Sequence, residues 1–400
     1  MSLQSINPRV SAMQPSATLA MTARAAARKA DGHPVIGLSA GEPDFDTPAF
    51  IAQAAEKAIA DGFTHYTNNK GTSELREAIR EKLDRENGIR VGVDDIVCSN
   101  GAKQSVAMAI SVLCGPGDEV LIPAPYWVSY PEMARFAGAE PATVGTTVES
   151  GYRLTPEQLE AAITPRTRLL VLCSPSNPTG GTYTPEQMEG LAEVLRRHPH
   201  VLVLSDEIYE HIRYDVPHIS MGSLPGLEDR TITVNGFSKA YAMTGWRLGY
   251  LAARTPIAAA VSKLQSQLTS APSSISQKAG LAALQMPYSE VERMVAAFRD
   301  RRDYVLSRLA EIDQLECPRP DGAFYVFPAV SSFYGLKTPQ GHTIDSAESL
   351  CFHLLDNYNL ALVPGHAFGD PDGLRISYAA SMANLEEALN RFGRALTELA

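Results

Sequence analysis

The chain has 400 residues, of which 44% are hydrophobic and 20% charged, and its formal net charge is −10. This length predicts two domains, or one large and one small domain, in an ordinary soluble globular protein. The acidic balance argues against broad nucleic-acid binding, which needs a basic surface, although a local basic pocket for an anion is compatible with it. No window holds eighteen uninterrupted apolar residues, so the sequence predicts no membrane span.

Cysteine usage predicts the compartment. The five cysteines are scattered and include no C-x-x-C pair: Cys98, Cys114, Cys173, Cys317 and Cys351. An odd number without paired spacing predicts reduced thiols in a cytoplasmic protein, with neither a disulfide framework nor a metal site.

The segment 18–29 near the N-terminus is rich in alanine and arginine and lacks acidic residues. This composition is similar to that of a weak transit peptide. The segment has no signal-peptide apolar core, however, and its helical pattern continues into the strand-like run 35–38. We therefore predict a helix of the mature protein.

Helices and apolar strands alternate through most of the chain. After the strand 35–38, amphipathic helices are predicted up to Asp61 and over 73–87, each stopped by a glycine. The pattern then continues as strand 96–98, helix 102–113, strand 119–122, helix 127–136, strand 169–173, helix 185–197, strand 201–204 and the apolar runs 231–234 and 248–253. Short, wholly apolar strands between helices predict a mostly parallel sheet covered on both faces.

The pattern changes beyond Pro256. Three helical segments, the longest at 289–311, precede isolated strands at 322–327, 360–363 and 374–378 and a last amphipathic helix at 384–399. We predict an α/β protein with two parts. A three-layer α/β/α large domain with a mostly parallel sheet spans 46–312, and a smaller α+β domain joins 1–45 to 313–400.

Polar motifs follow the predicted strands, where ligands bind in such sheets. They are SNGAK at 99–103, SPSNPTG at 174–180, SDEIY at 205–209 and GFSK at 236–239. The last motif lies in a turn between apolar runs and carries Ser238 and Lys239, with Arg247 eight residues on. A lysine with little water around it loses its proton more easily and becomes a nucleophile or base, and the hydroxyl and guanidinium beside it suit a phosphate. The alternative is a solvated lysine and an arginine in a structural ion pair.

The segment 236–249, GFSKAYAMTGWRLG, resembles the lysine signature of class I pyridoxal-phosphate aminotransferases. The resemblance implies the fold of type I pyridoxal-phosphate-dependent transferases. It also implies that Lys239 holds pyridoxal 5′-phosphate covalently. The implied activity is a ping-pong exchange of an amino group between an amino acid and a 2-oxo acid, with Lys239 as the group that moves the proton.

Asp206, Tyr209 and Asn177 come from the motifs that follow two strands. A carboxylate at the end of a strand can pair with a protonated ring nitrogen, while the alternative for Asp206 is a helix N-cap. Asn177 alone is typical of a strand-ending turn. The resemblance implies that Asp206 binds the pyridinium nitrogen and that Tyr209 and Asn177 contact the phenolic oxygen of the cofactor.

The helix after strand 96–98 opens with Gly101, Ala102 and Lys103. Free backbone N–H groups at a helix start bind anions, although neither a Walker A nor a G-x-G-x-x-G motif is present. The resemblance places the cofactor phosphate here, together with Ser238 and Arg247. It also implies that Tyr66 reaches this phosphate from the neighbouring subunit of a homodimer; otherwise Tyr66 is an ordinary loop tyrosine.

Arg375 lies inside an apolar strand, which is costly unless it has an anionic partner. The resemblance implies that it binds the substrate α-carboxylate in a bidentate fork, with the backbone of Gly41 on the other side. It further implies that Trp127 stacks on the cofactor ring, although core packing is the commoner role of tryptophan.

Two motifs bear on the substrate. PSAT at 15–18 and GAKQ at 101–104 are similar to those of a bacterial aspartate aminotransferase subgroup that includes aspartate/prephenate aminotransferases. The resemblance implies that Thr18 and Lys103 approach the distal carboxylate of the substrate. The stretch 262–274 has no arginine, unlike the other aspartate subgroup. Members that accept prephenate carry a basic residue before PSAT, and Gln14 here weakens the case for prephenate.

We predict an aminotransferase acting on L-aspartate and 2-oxoglutarate. One alternative is another enzyme on the same scaffold, with aromatic, prephenate or arogenate substrates, or a β-lyase, which its products would distinguish. The second is a non-catalytic regulatory module. That class carries an N-terminal winged-helix domain, whereas the stretch before the predicted fold is short and the net charge is negative.

Overall fold

The computed structural model describes residues 6–400, in which the strands form three sheets. The strands are β1 (Ile36–Gly37), β2 (Ile96–Ser99), β3 (Glu119–Ala124), β4 (Glu140–Gly145), β5 (Thr167–Cys173), β6 (Leu202–Asp206), β7 (Thr231–Gly236), β8 (Gly249–Ala252), β9 (Tyr325–Val326), β10 (Leu360–Ala361), β11 (Val363–Pro364) and β12 (Leu374–Ser377). The α-helices are α1 (Pro8–Ser11), α2 (Ala17–Ala30), α3 (Ala49–Ala60), α4 (Ser73–Lys82), α5 (Ala102–Leu113), α6 (Ser129–Ala137), α7 (Pro156–Ala162), α8 (Pro185–Arg197), α9 (Thr255–Leu268), α10 (Ser274–Gln285), α11 (Ser289–Leu309), α12 (Ala347–Tyr358) and α13 (Met382–Thr397).

The central sheet has seven strands in the order β2-β8-β7-β6-β5-β3-β4. All neighbours are parallel except β8, which runs antiparallel to both β2 and β7. The chain turns back from β7 into β8 through residues 237–248 without a crossover helix, and this explains the single reversal. The predicted mostly parallel sheet is confirmed.

Helices cover both faces of this sheet. In β5, Leu169 and Val171 pack in a cluster with α5, α6 and α9, whereas Leu170 and Leu172 pack on the other face with α7 and α8. This alternation follows the two-residue period of a strand, and because both faces are covered the strand is apolar throughout. The three-layer α/β/α architecture is confirmed.

Local signals place several helix ends as expected. At the start of α8, Thr184 Oγ1 accepts from Gln187 N over 3.3 Å and Gln187 Oε1 accepts from Thr184 N over 3.0 Å, with Pro185 at the first helical position. This is a capping box, which satisfies two backbone donors. None of the helices described between residues 6 and 400 combines the length and apolarity needed to cross a bilayer.

Some predicted boundaries were wrong. The helix predicted over 73–87 is α-helical only to Lys82 and continues as a π-turn over Leu83–Asn87, in which Asn87 Oδ1 accepts from the buried Lys82 Nζ over 2.7 Å. The helix predicted from Trp127 begins at Ser129. The sequence patterns missed β4 and α7, because β4 is a partly exposed edge strand without clean apolar alternation and α7 is only 7 residues long.

The C-terminal part builds a second core. Strands β11, β12 and β9 form an antiparallel sheet, and β1 pairs with β10 in parallel. Phe324, Leu354 and Phe392 belong to this core, which Met21 and Leu38 from the N-terminal segment join. That packing supports our proposal that residues 1–45 and 313–400 form the small domain and 46–312 the large one.

Candidate active site

The carboxyl ends of the central strands open into a cavity of about 420 Å³. The predicted site residues that line it are Thr18, Gly41, Ala102, Lys103, Trp127, Asn177, Asp206, Tyr209, Ser238, Lys239, Arg247 and Arg375. They come from segments spread over most of the chain, and the fold brings them to one edge of the sheet, as the strand-end rule predicts.

Lys239 lies in the turn after β7, where its amine donates a hydrogen bond to Gly41 O over 2.5 Å. Burial lowers the pKa of this amine to about 8, and the positive charge of Arg375 adds to the effect. Asp206 acts in the opposite direction, as does Glu42. A lysine in this state is partly neutral near physiological pH and can act as a nucleophile or base.

We expect the reactivity of Lys239 to rise through pH 8. In protein freed of any bound cofactor, a small amine-selective reagent should label the peptide that carries Lys239 with a midpoint near pH 8, because only the neutral, unattached amine reacts. Peptide mass spectrometry across pH 6–11 measures this, and Lys239→Ala identifies the signal. A midpoint at about 10.4, the ordinary value for lysine, would contradict the burial argument.

Asp206 ends β6 and its side chain is 4% exposed. Burial raises the pKa of its carboxyl group to about 6, and the hydrogen bond from the Tyr130 hydroxyl to Oδ2, 2.7 Å long, opposes this increase. A buried carboxylate of this kind is costly unless a positive group faces it. Asp206 can therefore pair with a cationic ring nitrogen inside the cavity.

Arg375 in β12 is 2% exposed. Its Nη1 donates to Asn177 Oδ1 over 2.8 Å and its Nη2 to Ser39 O over 2.6 Å, while Nε is buried and has no hydrogen-bond partner within residues 6–400. In the same range no carboxylate forms an ion pair with Arg375. Since a buried unpaired charge is costly, this guanidinium suits a carboxylate ligand that the chain itself does not supply.

Tyr209 and Asn177 lie beside these charges. The Tyr209 hydroxyl is 2.8 Å from the Tyr325 hydroxyl, and its pKa is raised well above the usual value, chiefly by burial. Asn177 Oδ1 is used by Arg375, which leaves its amide N–H group as the remaining donor. Both side chains therefore offer hydrogen bonds to a ligand oxygen.

The start of α5 has the features of a site that could bind an anion. Its N-cap, Gly101, has φ +83° and no side-chain cap, so the first N–H groups of the helix face the cavity end of the sheet. Arg247 has φ +53°, which is strained for a residue with a side chain and is often found at functional sites. A Cβ on Gly101 would lie 2.4 Å from Arg247 Nη2, so the glycine leaves space for the guanidinium. With Ser238, these groups could hold a phosphate, and we call them the phosphate cradle.

Lys103, the second residue of α5, and Thr18 also line the cavity. Lys103 Nζ lies 5.2 Å from the centroid of the Trp127 ring, in cation–π contact. Burial, with a smaller contribution from Arg247, lowers the pKa of Lys103. Two cations, Arg375 and Lys103, thus line one cavity, which can receive a ligand with two anionic groups.

Two predicted residues do not line the cavity. Gly101 lies directly behind Arg247, as described above, and Tyr66 is 98% exposed on the surface. Within one chain, Tyr66 therefore does not reach the predicted phosphate site.

Sequence reasoning missed two tyrosines that line the cavity, Tyr130 and Tyr325. A Cβ on Gly41 would lie 2.7 Å from the Tyr325 hydroxyl, so Tyr325 fixes the approach of the Gly41 backbone. The spacing of Trp127 and Tyr130 places them on one side of a helical turn, and this was the available signal for Tyr130. No local pattern identifies Tyr325.

The chain is similar to aminotransferases over nearly its whole length. A profile described as aminotransferase class I and II matches residues 33–392. A bifunctional aspartate aminotransferase and glutamate/aspartate-prephenate aminotransferase of Petunia hybrida is 53% identical over 399 residues, which cover 99% of this chain and 83% of that protein. The aspartate aminotransferase of Rhizobium meliloti strain 1021 is 49% identical over 393 residues, or 98% and 96% of the two chains.

Solved structures agree. The crystal structure of the Rhizobium meliloti aspartate aminotransferase has a TM-score of 0.96 at 47% identity and covers 99% of this chain and 100% of that chain. The Thermus thermophilus aspartate aminotransferase with maleate has a TM-score of 0.92 at 42% identity, with 98% and 99% covered. A partly buried lysine, a buried carboxylate and a buried arginine without an ion-pair partner in residues 6–400 therefore lie in a cavity on a scaffold shared with these enzymes, and the chain belongs to the class I and II aminotransferases.

Proposed function

We propose that the protein transfers the amino group of L-aspartate to 2-oxoglutarate, in two half-reactions on pyridoxal 5′-phosphate. One observation carries this proposal: a single cavity is lined by the partly neutral Lys239, by a second cation, Lys103, and by the buried Arg375, which has no ion-pair partner within residues 6–400. The names of relatives at 47–53% identity support the same substrate. The maleate of the Thermus thermophilus structure is itself a four-carbon dicarboxylate.

The residues of the cavity fit pyridoxal phosphate. The start of α5, with Ser238 and Arg247, suits its phosphate, and Asp206 suits its ring nitrogen. We assign Trp127, which lines the cavity, to stacking on the ring, and Asn177 and Tyr209 to hydrogen bonds with its phenolic oxygen. When bound, the cofactor supplies an aldehyde for amino groups and a ring that accepts the electron pair left at Cα.

The side chains of the chain have three tasks in this reaction. Arg375 binds the α-carboxylate through a fork, with the Gly41 backbone closing the other side, and so orients the Cα–H bond. Lys239 takes the proton from Cα as a base and delivers it to the C4′ carbon of the cofactor. Asp206 keeps the ring nitrogen protonated, because its charge favours a cation at that position.

We assign substrate choice to two further residues that line the cavity. We assign Lys103 and Thr18 to the distal carboxylate of aspartate, since Lys103 is a cation held at the Trp127 ring with no acidic partner within residues 6–400. An ion pair in a partly desolvated cavity is strong enough to discriminate between substrates.

Replacing Lys103 with methionine tests this assignment. We expect kcat/KM for aspartate to fall about 100-fold, because a charged hydrogen bond to the substrate is lost, and the value for phenylalanine to change less than about threefold. Steady-state rates on aspartate, glutamate, phenylalanine and prephenate measure both effects.

Lys57→Met is the control, since Lys57 is an exposed lysine paired with Asp61 on α3. A wild-type preference for phenylalanine or prephenate, or an equal loss on all substrates in the Lys103 variant, would contradict the assignment. The same assay thus separates aspartate specificity from the aromatic and prephenate alternatives.

We also propose a cytoplasmic homodimer in which Tyr66 binds the phosphate of the partner subunit. Its ring is 98% exposed in one chain, and Arg247 is exposed at the same phosphate cradle. The five cysteines are all free thiols, which supports a reducing compartment.

A further inference from the structure

Tyr130 lies in the first turn of α6 with its side chain 2% exposed. Its hydroxyl donates to Asp206 Oδ2 over 2.7 Å, whereas Oδ1 accepts a longer bond of 3.3 Å from Ile208 N. Among the described residues, the Tyr130 hydroxyl therefore makes the shorter of the two hydrogen bonds to this carboxylate. An ionised carboxylate only accepts hydrogen bonds, so the tyrosine is the donor.

The groups around Asp206 shift its pKa in different directions. The titratable groups that face it are those of Tyr130 on α6, Cys173 on β5, Lys239 in the turn after β7 and the adjacent residue Glu207. Burial raises the pKa of Asp206, and the charge of Glu207 raises it further. The hydrogen bond from Tyr130 favours the ionised form and is the largest opposing influence, ahead of Lys239.

The position of Tyr130 is fixed by its neighbour on the cavity wall. Its ring meets the Trp127 ring edge-to-face, with centroids 5.2 Å apart and an angle of 85° between the planes. Tyr130 N also donates to Trp127 O over 3.0 Å. The turn that leads from Trp127 into α6 thus positions both the indole that lines the cavity and the hydroxyl that reaches the carboxylate.

We propose that Tyr130 is a positioning residue, which keeps Asp206 ionised and aimed at the pyridine nitrogen of the cofactor. The inference rests on the proposed function, since it acts through the cofactor contact of Asp206. Tyr130→Phe removes only the hydroxyl. Tyr183→Phe is the matched control, because Tyr183 is also buried and its hydroxyl accepts one hydrogen bond, from Leu154 N over 3.0 Å.

The first measurement uses the protein stripped of cofactor. An acid whose folded-state pKa is raised binds more protons when folded, so its contribution to stability is lost as pH rises through that pKa. Tyr130→Phe raises the pKa of Asp206 further, so its extra loss of stability develops above about pH 6. We expect the difference in melting temperature between Tyr130→Phe and wild type to increase about twofold or more from pH 5 to pH 8, because the variant lacks the charged hydrogen bond to Asp206. The gap for Tyr183→Phe stays constant.

The second measurement uses the loaded protein. We expect Tyr130→Phe to bind pyridoxal phosphate about tenfold more weakly, to lower kcat about tenfold and to leave KM for aspartate within about twofold. In an Asp206→Asn background the same change should alter cofactor affinity less than about twofold, because the acceptor charge is already gone. Cofactor affinity is measured by titrating the visible absorbance.

The outcomes separate the two levels of the argument. Wild type and Tyr183→Phe that fail to take up pyridoxal phosphate would overturn the proposed function itself. If both proteins take up the cofactor, two results would overturn the role of Tyr130 alone. One is a melting-temperature gap of Tyr130→Phe that does not depend on pH, and the other is an equal loss of cofactor affinity in the wild-type and Asp206→Asn backgrounds. A Tyr130→Phe protein that behaves like wild type in both measurements would also overturn that role.

Discussion

Lys239→Ala is expected to abolish the visible absorbance of the cofactor-loaded protein and to reduce kcat by at least about 10⁴-fold. The amine is both the covalent attachment point and the base, and each role alone is worth several orders of magnitude. Among the described residues, the other amine that lines the cavity is that of Lys103, which packs over the Trp127 ring, and we expect it not to replace Lys239. Absorbance spectra before and after addition of aspartate, with single-turnover rates, measure the effect.

Lys278→Ala is the control for this change. Lys278 lies on α10, where its amine packs 4.5 Å from the centroid of the Phe63 ring, and it does not line the cavity. We expect an unchanged spectrum and rate. A Lys239→Ala protein that kept its visible band and turned over aspartate at the wild-type rate would overturn the covalent role of Lys239.

Arg375→Ala is expected to reduce kcat/KM for aspartate by about 10³-fold. The fork that orients the α-carboxylate is lost, and losses of this size follow when a buried bidentate contact to a charged group is removed. Phenylalanine carries the same α-carboxylate, so its kcat/KM should fall by a similar factor, in contrast to the selective effect of Lys103→Met. Steady-state rates on both amino acids distinguish the two cations.

Arg375→Lys is the sharper variant. It keeps a positive charge but not the planar fork, so we expect activity between those of wild type and Arg375→Ala. Full activity of the lysine variant would show that charge alone is sufficient. If the Arg375 variants instead lost activity on aspartate but not on phenylalanine, Arg375 would bind the distal carboxylate, the role assigned here to Lys103.

Sequence patterns predicted the parts of the site that depend on topology. Lys239, Asp206 and Asn177 all follow apolar strands, and the ends of parallel strands meet at one edge whatever the details of the loops. Arg375 was visible as a charge inside an apolar strand. The roles assigned to these residues, and the domain boundaries, stay proposals.

Other features depend on tertiary contacts that no local pattern records. The bond from Tyr130 to Asp206 spans 76 residues, and the Tyr209–Tyr325 pair spans 116. The positive φ of Arg247 is imposed by the structure around it, because a side chain disfavours that conformation. Apolar periodicity also does not show that β8 runs antiparallel to its neighbours, or that the helix after Lys82 continues as a π-turn and not as an α-helix.

The reversal at β8 has a mechanical consequence. Gly236 at the end of β7 is paired with Gly249 at the start of β8, and a Cβ on Gly249 would lie only 2.3 Å from Ala102 N at the start of α5. Both ends of the loop that carries Lys239 and Arg247 are therefore fixed to the same sheet, and the start of α5 packs against the end of the loop at Gly249. Lys239 and the start of α5 therefore belong to one rigid unit, so a movement of the proposed small domain would shift Arg375 relative to them and leave their mutual spacing unchanged.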